Sequence, residues 1–284
     1  MDFGGLYSEY SSFENATFVV VPVPYDLTTS YQAGARNGPS AIIDASCQME
    51  LYDEELRVET YLSGIHTLSP LEVEAGGPEK MIETVRERIA YILSFDKIPV
   101  IIGGEHSISL GSVQAMKEKY PTLSVLHLDA HADMRNSYQG TPFSHACVSR
   151  RISEICPVVQ VGIRSMSAEE ATFIKENGIK IFPPDFLHEN PLLEREICKN
   201  LSKDVYLTID LDVLDPSIMP AVGTPEPGGV CWNDLTRLIK EVSNNCKIRG
   251  FDIVELAPIP GMVAPDYTAA KLTYRVMGYI NSRQ

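Results

Sequence analysis

The chain has 284 residues, 44% of them apolar, the profile of a globular protein with room for a large core. Its 38 acidic against 24 basic residues leave a net charge of −14, which argues against nucleic acid or an anionic membrane surface as partner and favours a cationic ligand. No apolar run is long enough to span a bilayer. The first fifteen residues carry Asp2, Glu9 and Glu14 without a base, and the cysteines form no C-x-x-C pair, so a cytoplasmic protein with free, buried thiols is expected.

Thr17 to Val23 reads as a first strand, followed by a polar loop from Tyr25 to Asn37. Gly38-Pro39 opens an expected helix running to Tyr52, and Glu59 to His66 reads as a short strand. Pro78 to Phe95 places Met81, Ile82, Val85, Ile89, Ile92 and Leu93 at helical spacing. A strand, Ile98 to Ile102, a helix, Ser107 to Lys119, and a strand, Leu123 to Leu128, follow. Ser144 to Ile155 is expected to be helical and Pro157 to Ile163 extended. Ser167 with Glu170 three residues on has capping-box spacing for a helix to Asn177. Then come a strand, Ile179 to Phe182, a helix, Pro191 to Leu201, a strand, Val205 to Ile209, and a Pro- and Gly-rich loop, Pro216 to Gly229. A helix, Trp232 to Asn244, a strand, Ile248 to Val254, and a helix, Asp266 to Ile280, close the chain. Strands that are almost wholly apolar and alternate with helices predict a doubly wound, mostly parallel α/β sheet of about eight strands, in a single domain over 1–284. Ligands of such sheets bind outside the carboxyl ends of the strands.

Three of those ends carry chemistry. Pro99 to Ile102 runs into Gly103-Gly104-Glu105-His106. Leu123 to Leu128 runs into Asp129-Ala130-His131-Ala132-Asp133. Val205 to Ile209 runs into Asp210-Leu211-Asp212. A single aspartate at a strand end is as readily a turn former or a helix cap; three such ends in one sheet are not explained that way. The donor set His106, Asp129, His131, Asp133, Asp210 and Asp212 mixes hard oxygens with imidazole and lacks thiolate, which suits Mn²⁺ or a similar divalent ion over structural zinc. Four neighbouring carboxylates cannot all stay ionised without cations. Two divalent ions balance them, and a bridging hydroxide then leaves the site at minus one, which one cationic substrate group would neutralise. Glu105 is expected to be structural, Asp215 a turn residue and His127 a buried, satisfied histidine; His66 and His188 are assigned no role.

These three motifs, with Gly34-Ala35-Arg36 and Asp252-Ile253-Val254-Glu255, resemble the signatures of the ureohydrolases, the family of arginases and agmatinases, over nearly the whole chain. The resemblance implies an arginase-like, three-layer α/β/α fold with two Mn²⁺ per subunit. It assigns His106, Asp129, Asp133 and Asp210 to one ion, and Asp129, His131, Asp210 and Asp212 to the other. It implies attack by a metal-bridging hydroxide on a guanidinium carbon, with Asp133 accepting and passing on the proton. His145 matches the family's non-ligand histidine, a proton shuttle, and Glu255 the glutamate that pairs with the substrate guanidinium. On the residues alone, His145 is equally a helix-start residue and Glu255 an exposed strand-end acid. Relatives form trimers and hexamers, so a homo-oligomer is implied.

The stretch Met134 to Ser144 departs from the Ser-, Thr- and Asn-rich loop of arginases and looks like agmatinases, with Tyr138-x-Gly140 and then Ser144-His145-Ala146. The expected reaction is therefore hydrolysis of agmatine to putrescine and urea, a step of polyamine biosynthesis. Aminopropylagmatine, guanidinobutyrate or arginine are alternative substrates; a carboxylated one would need a basic rim, for which Arg135 is the candidate. A related deacetylase would use one zinc and fewer acidic ligands, and a non-catalytic relative would have lost one of the six donors.

Overall fold

The computed structural model describes residues 2–184 and 193–282. Eight strands form one sheet: β1 (Phe18–Val23), β2 (Ile65–Thr67), β3 (Ile98–Gly103), β4 (Ser124–Leu128), β5 (Val158–Val161), β6 (Lys180–Phe182), β7 (Asp204–Asp210) and β8 (Lys247–Val254). Their order is β2-β1-β3-β8-β7-β4-β5-β6, and every pairing is parallel. Parallel neighbours need a crossover, and helices supply it on both faces.

Alternation along the strands divides the core in two. Phe18, Val20, Val100, Ile102, Leu126, Leu207 and Ile209 pack on the face covered by α1 (Gly38–Ser46), α6 (Leu193–Lys199), α7 (Trp232–Asn245) and α8 (Ala264–Asn281). Val19, Val21, Ile101, Val125 and Tyr206 pack on the face covered by α2 (Pro78–Ser94), α3 (Ser109–Lys119) and α4 (Val148–Ser153). With both faces buried, the central strands read as largely apolar runs. The capping box is present at α5 (Ala168–Asn177): Ser167 accepts from Glu170 N–H, and the Glu170 carboxylate accepts from Ser167 N–H at 2.7 Å.

Several expected elements are shorter: the helix expected from Ser144 to Ile155 is α-helical over Val148–Ser153, and the strand expected from Pro157 to Ile163 covers Val158–Val161. The helix from Pro39 stops at Ser46, and Tyr52–Asp53 instead pairs antiparallel with Val58–Glu59. The strand expected over Glu59 to His66 is interrupted by a 3-10 turn, Thr60–Ser63, and by Gly64 at φ 79°. A Cβ at Gly64 would lie 2.7 Å from the Ala16 Cα, so the chain turns there and only Ile65–Thr67 joins the sheet. The helix expected from Pro191 is helical from Leu193; Pro191, Leu192 and His188 lie outside the described residues. All six cysteines are free, and among the described residues no helix is long and apolar enough to cross a membrane.

Candidate metal centre and substrate pocket

Four adjacent strands, β3, β8, β7 and β4, deliver the candidate residues to one edge. His106 opens a 3-10 turn just past β3, and Asp129, His131 and Asp133 follow β4. Asp210 ends β7, Asp212 sits in the next 3-10 turn, and Glu255 follows β8. The glycine pair before His106 has a steric cause: a Cβ on Gly104 would meet the Tyr25 carbonyl oxygen at 2.0 Å. Gly104 also donates its N–H to Val23 at 2.8 Å and accepts from Glu255 N–H at 2.7 Å, which locks the turn between β1 and β8.

The six predicted donors meet. His106 Nδ1 lies 3.1 Å from Asp129 Oδ2, 3.3 Å from Asp210 Oδ2 and 3.5 Å from Asp133 Oδ2. His131 Nδ1 lies 2.9 Å from Asp212 Oδ2 and 3.6 Å from Asp129 Oδ1. The two oxygens of Asp129 thus face different imidazoles, as a bridging carboxylate requires. Backbone N–H groups fix the carboxylates: His131 donates to Asp129 Oδ1 at 2.6 Å, Ala130 to Asp212 Oδ1 at 2.9 Å, and Asp212 to Asp210 Oδ1 at 2.9 Å.

These residues fit a pair of divalent cations on two grounds. His106 Nδ1 is buried and has no hydrogen-bond partner, while the ring's other nitrogen is spent. His106 Nε2 is 2.8 Å from Thr208 Oγ1, whose hydroxyl donates onward to Asp252 Oδ1 at 2.6 Å. Nε2 therefore carries the proton, and Nδ1 presents a lone pair, the arrangement typical of a metal-ligating histidine. Charge is the second ground. Burial first, then neighbouring carboxylates, push Asp133, Asp210 and Asp212 above the ordinary carboxylate range. Cations would reverse that shift.

His127 also lies within reach of His106, Asp129 and Asp133, but both its ring nitrogens are occupied. Gln160 Nε2 donates to Nδ1 at 2.9 Å, and Nε2 donates to Asp129 Oδ2 at 2.7 Å. It is the satisfied, buried histidine expected, and it orients Asp129. Glu105 is likewise structural: its carboxylate accepts from Thr28 N–H, Thr28 Oγ1 and Ser107 Oγ at 2.5–2.6 Å.

A cavity of about 240 Å³ opens onto the cluster, lined by His131, Asp133, Asp210, Asp212, Tyr138, His145 and Glu255 among others. Glu255 is buried rather than exposed, with Oε1 accepting from His106 N–H at 2.7 Å. Burial first, then Glu105, push its carboxyl up to about 8. An arriving cation would restore its charge. Glu255 and Asp133 both hold positive φ, 68° and 51°, a backbone conformation uncommon for non-glycine residues. His145 Nε2 is buried with no partner, while its backbone N–H donates to Thr28 Oγ1 at 3.0 Å. Burial lowers the imidazole to about 4, so the resting ring is neutral. Asp215 organises its loop, accepting from Ser217, Gly228 and Gly229 N–H at 2.9–3.0 Å. Thr224 of that loop reaches the pocket.

Sequence reading gave no role to Thr208, Asp252 or Arg164, which lie beneath and beside the site. Thr208 and Asp252 pair level with each other on β7 and β8, and His127 with Thr208 on β4. The signal was present: these are polar residues inside strands otherwise buried on both faces. Arg164, whose guanidinium donates to the carbonyls of Asp212 and Glu226 at 2.7 Å, left no such signal.

A parallel sheet bearing paired His and Asp clusters at its carboxyl edge, under a pocket floored by a buried glutamate, defines a hydrolase of the ureohydrolase class. The comparisons give the family. The Arginase family model matches residues 16–278, and the chain belongs to that family. It is 39% identical to the N(1)-aminopropylagmatine ureohydrolase of Synechocystis sp., over 96% of this chain and 92% of that one. It is 35% identical to the agmatinase of Bacillus cereus, over 88% and 87%. The crystal structure of the agmatine ureohydrolase of Thermoplasma volcanium superposes with a TM-score of 0.88 at 33% identity, over 96% of this chain and 92% of that one.

Proposed function

We propose that the chain releases urea from a guanidinoalkyl amine of the agmatine type. The observation that carries this is the division of Asp129 between His106 and His131, which supports two cations side by side beneath the pocket. We assign them as manganese, on the mix of carboxylate and imidazole donors. His106, Asp129, Asp133 and Asp210 would hold one, and Asp129, His131, Asp210 and Asp212 the other. Such a pair, when bound, supplies Lewis acidity and brings the pKa of bound water towards about 7.

The chain's own residues do the rest. Glu255 receives the guanidinium, its charge recovered as the cation arrives, and its hold on His106 N–H keeps the carboxylate in place. Asp133 carries a proton between the attacking oxygen and the departing nitrogen. His145, neutral, lining the pocket and with Nε2 unpartnered, relays a proton so that the amine leaves protonated.

Two members of the substrate class compete. The loop around Tyr138 supports agmatine. The more similar of the two curated relatives is named for N(1)-aminopropylagmatine, which supports the extended form, and we place that substrate first. Comparing kcat/KM for urea release from aminopropylagmatine, agmatine, guanidinobutyrate and arginine, and for formamide release from formiminoglutamate, decides it. A preference for either carboxylated guanidino acid, or for formiminoglutamate, would overturn the reading.

A further inference from the structure

We propose that Glu226 is a specificity-determining residue that receives the ammonium on the substrate's alkyl tail, so that the pocket takes guanidinoalkyl amines and turns away guanidino acids. The inference rests on the reading of the pocket as a ureohydrolase site and goes beyond it by assigning the tail.

The backbone of Glu226 is pinned. Arg164 Nη2 donates 2.7 Å hydrogen bonds to the carbonyls of both Asp212 and Glu226, which ties this rim loop to the turn holding a candidate ligand. Its side chain is held as well: Ser165 Oγ donates to Oε1 at 2.9 Å. Oε1 stands 3.9 Å from His131 Nε2, one imidazole width from the cluster, and Ser165 and His131 both line the pocket. The side chain remains 38% exposed, and among the described residues no lysine or arginine pairs with it. Arg164, beside the Glu226 backbone, spends its donors on main-chain carbonyls. A carboxylate held by Ser165 and without a lysine or arginine partner, at this distance from the reacting end, costs little to organise around an incoming ammonium. Met166, 42% exposed on the same wall, offers apolar surface to the intervening methylenes.

The competing role is orientation of His131 through its Nε2–H, the usual duty of a carboxylate outside a metal ligand. At 3.9 Å no hydrogen bond exists, and Oε1 is already occupied by Ser165. The geometry favours a ligand from solution.

Glu226→Gln keeps the shape and the acceptor for Ser165 but removes the charge. The manganese-loaded enzyme and this variant are compared on agmatine and on butylguanidine, which lacks the ammonium and is scored as substrate or competitive inhibitor. The expected result is a fall of about tenfold or more in the preference for agmatine over butylguanidine, carried by KM. Equal weakening of both ligands, or loss of bound manganese in the variant, would assign Glu226 to His131 and overturn the proposal. A wild-type preference for agmatine that survives the substitution sinks the tail assignment alone. Absence of activity on any guanidinoalkyl amine in the wild type, with turnover of another guanidine, removes the parent reading as well.

Discussion

His106 and Thr208 are joined by a 2.8 Å hydrogen bond beneath the candidate metal centre, and that contact decides which face of the imidazole meets a cation. Thr208 gives its own proton to Asp252, so its oxygen can only accept from His106. Thr208→Val preserves the volume and removes the acceptor. It leaves a buried N–H unpaired, at about 1–3 kcal/mol of stability, and frees the ring to adopt the wrong tautomer. Manganese affinity should weaken by about ten- to a hundredfold, read by titrating the metal-stripped protein and counting bound ions. Unchanged affinity would mean that His106 is oriented by packing alone.

Metal removal tests the charge argument directly. The cluster crowds Asp129, Asp133, Asp210 and Asp212 into one buried volume, where burial and mutual repulsion raise three of the four carboxyls. Stripping with a strong chelator should abolish urea release and lower the melting temperature, and Mn²⁺ should restore both. Full activity in protein shown by elemental analysis to hold no metal would end the mechanism proposed above.

Glu255→Gln separates substrate binding from architecture. Glutamine can still accept from His106 N–H, so the fold and the turn after β3 should survive. The charge that meets the guanidinium is lost, and kcat/KM should fall by about a hundredfold or more, with melting temperature and metal content close to wild type. An equal loss of stability would return Glu255 to a purely structural role.

The sheet and the donor set were legible because each is written in local pattern. Apolar runs ending in His106, Asp129 or Asp210 state both a buried parallel strand and its carboxyl end. The fate of Pro39 to Tyr52 was not local: nothing in its spacing announces that Tyr52–Asp53 will leave the helix to pair with Val58–Glu59. Nor does sequence show that Glu255, a strand-end acid by position, is buried and anchored to His106, 149 residues away. Such contacts arise only once strands from distant parts of the chain lie side by side. Glu105 was assigned correctly for a simpler reason: beside His106 on an extended segment, it had to point elsewhere.

The same hairpin carries the last prediction, which concerns stability away from the site. Arg275 of α8 is 4% exposed and faces three acids of the hairpin. Its Nε lies 2.6 Å from Asp53 Oδ2, and its terminal nitrogens reach Glu54 at 2.5 Å and Glu55 at 2.6 Å. Asp53 is fully buried and also accepts from the N–H groups of Glu55 and Leu56. Glu54 and Glu55 reach solvent and are screened, so the energy at stake belongs to Asp53. Arg275→Met would leave that carboxylate buried without its cation, at a cost of about 3–5 kcal/mol, measured by denaturant unfolding of the metal-loaded protein. Adding Asp53→Asn, which keeps the acceptor for both backbone N–H groups, should recover much of the loss, because the two residues are coupled. A loss under about 1 kcal/mol from Arg275→Met alone would place the cluster with ordinary surface ion pairs, and the hairpin would then be held to α8 by apolar packing instead.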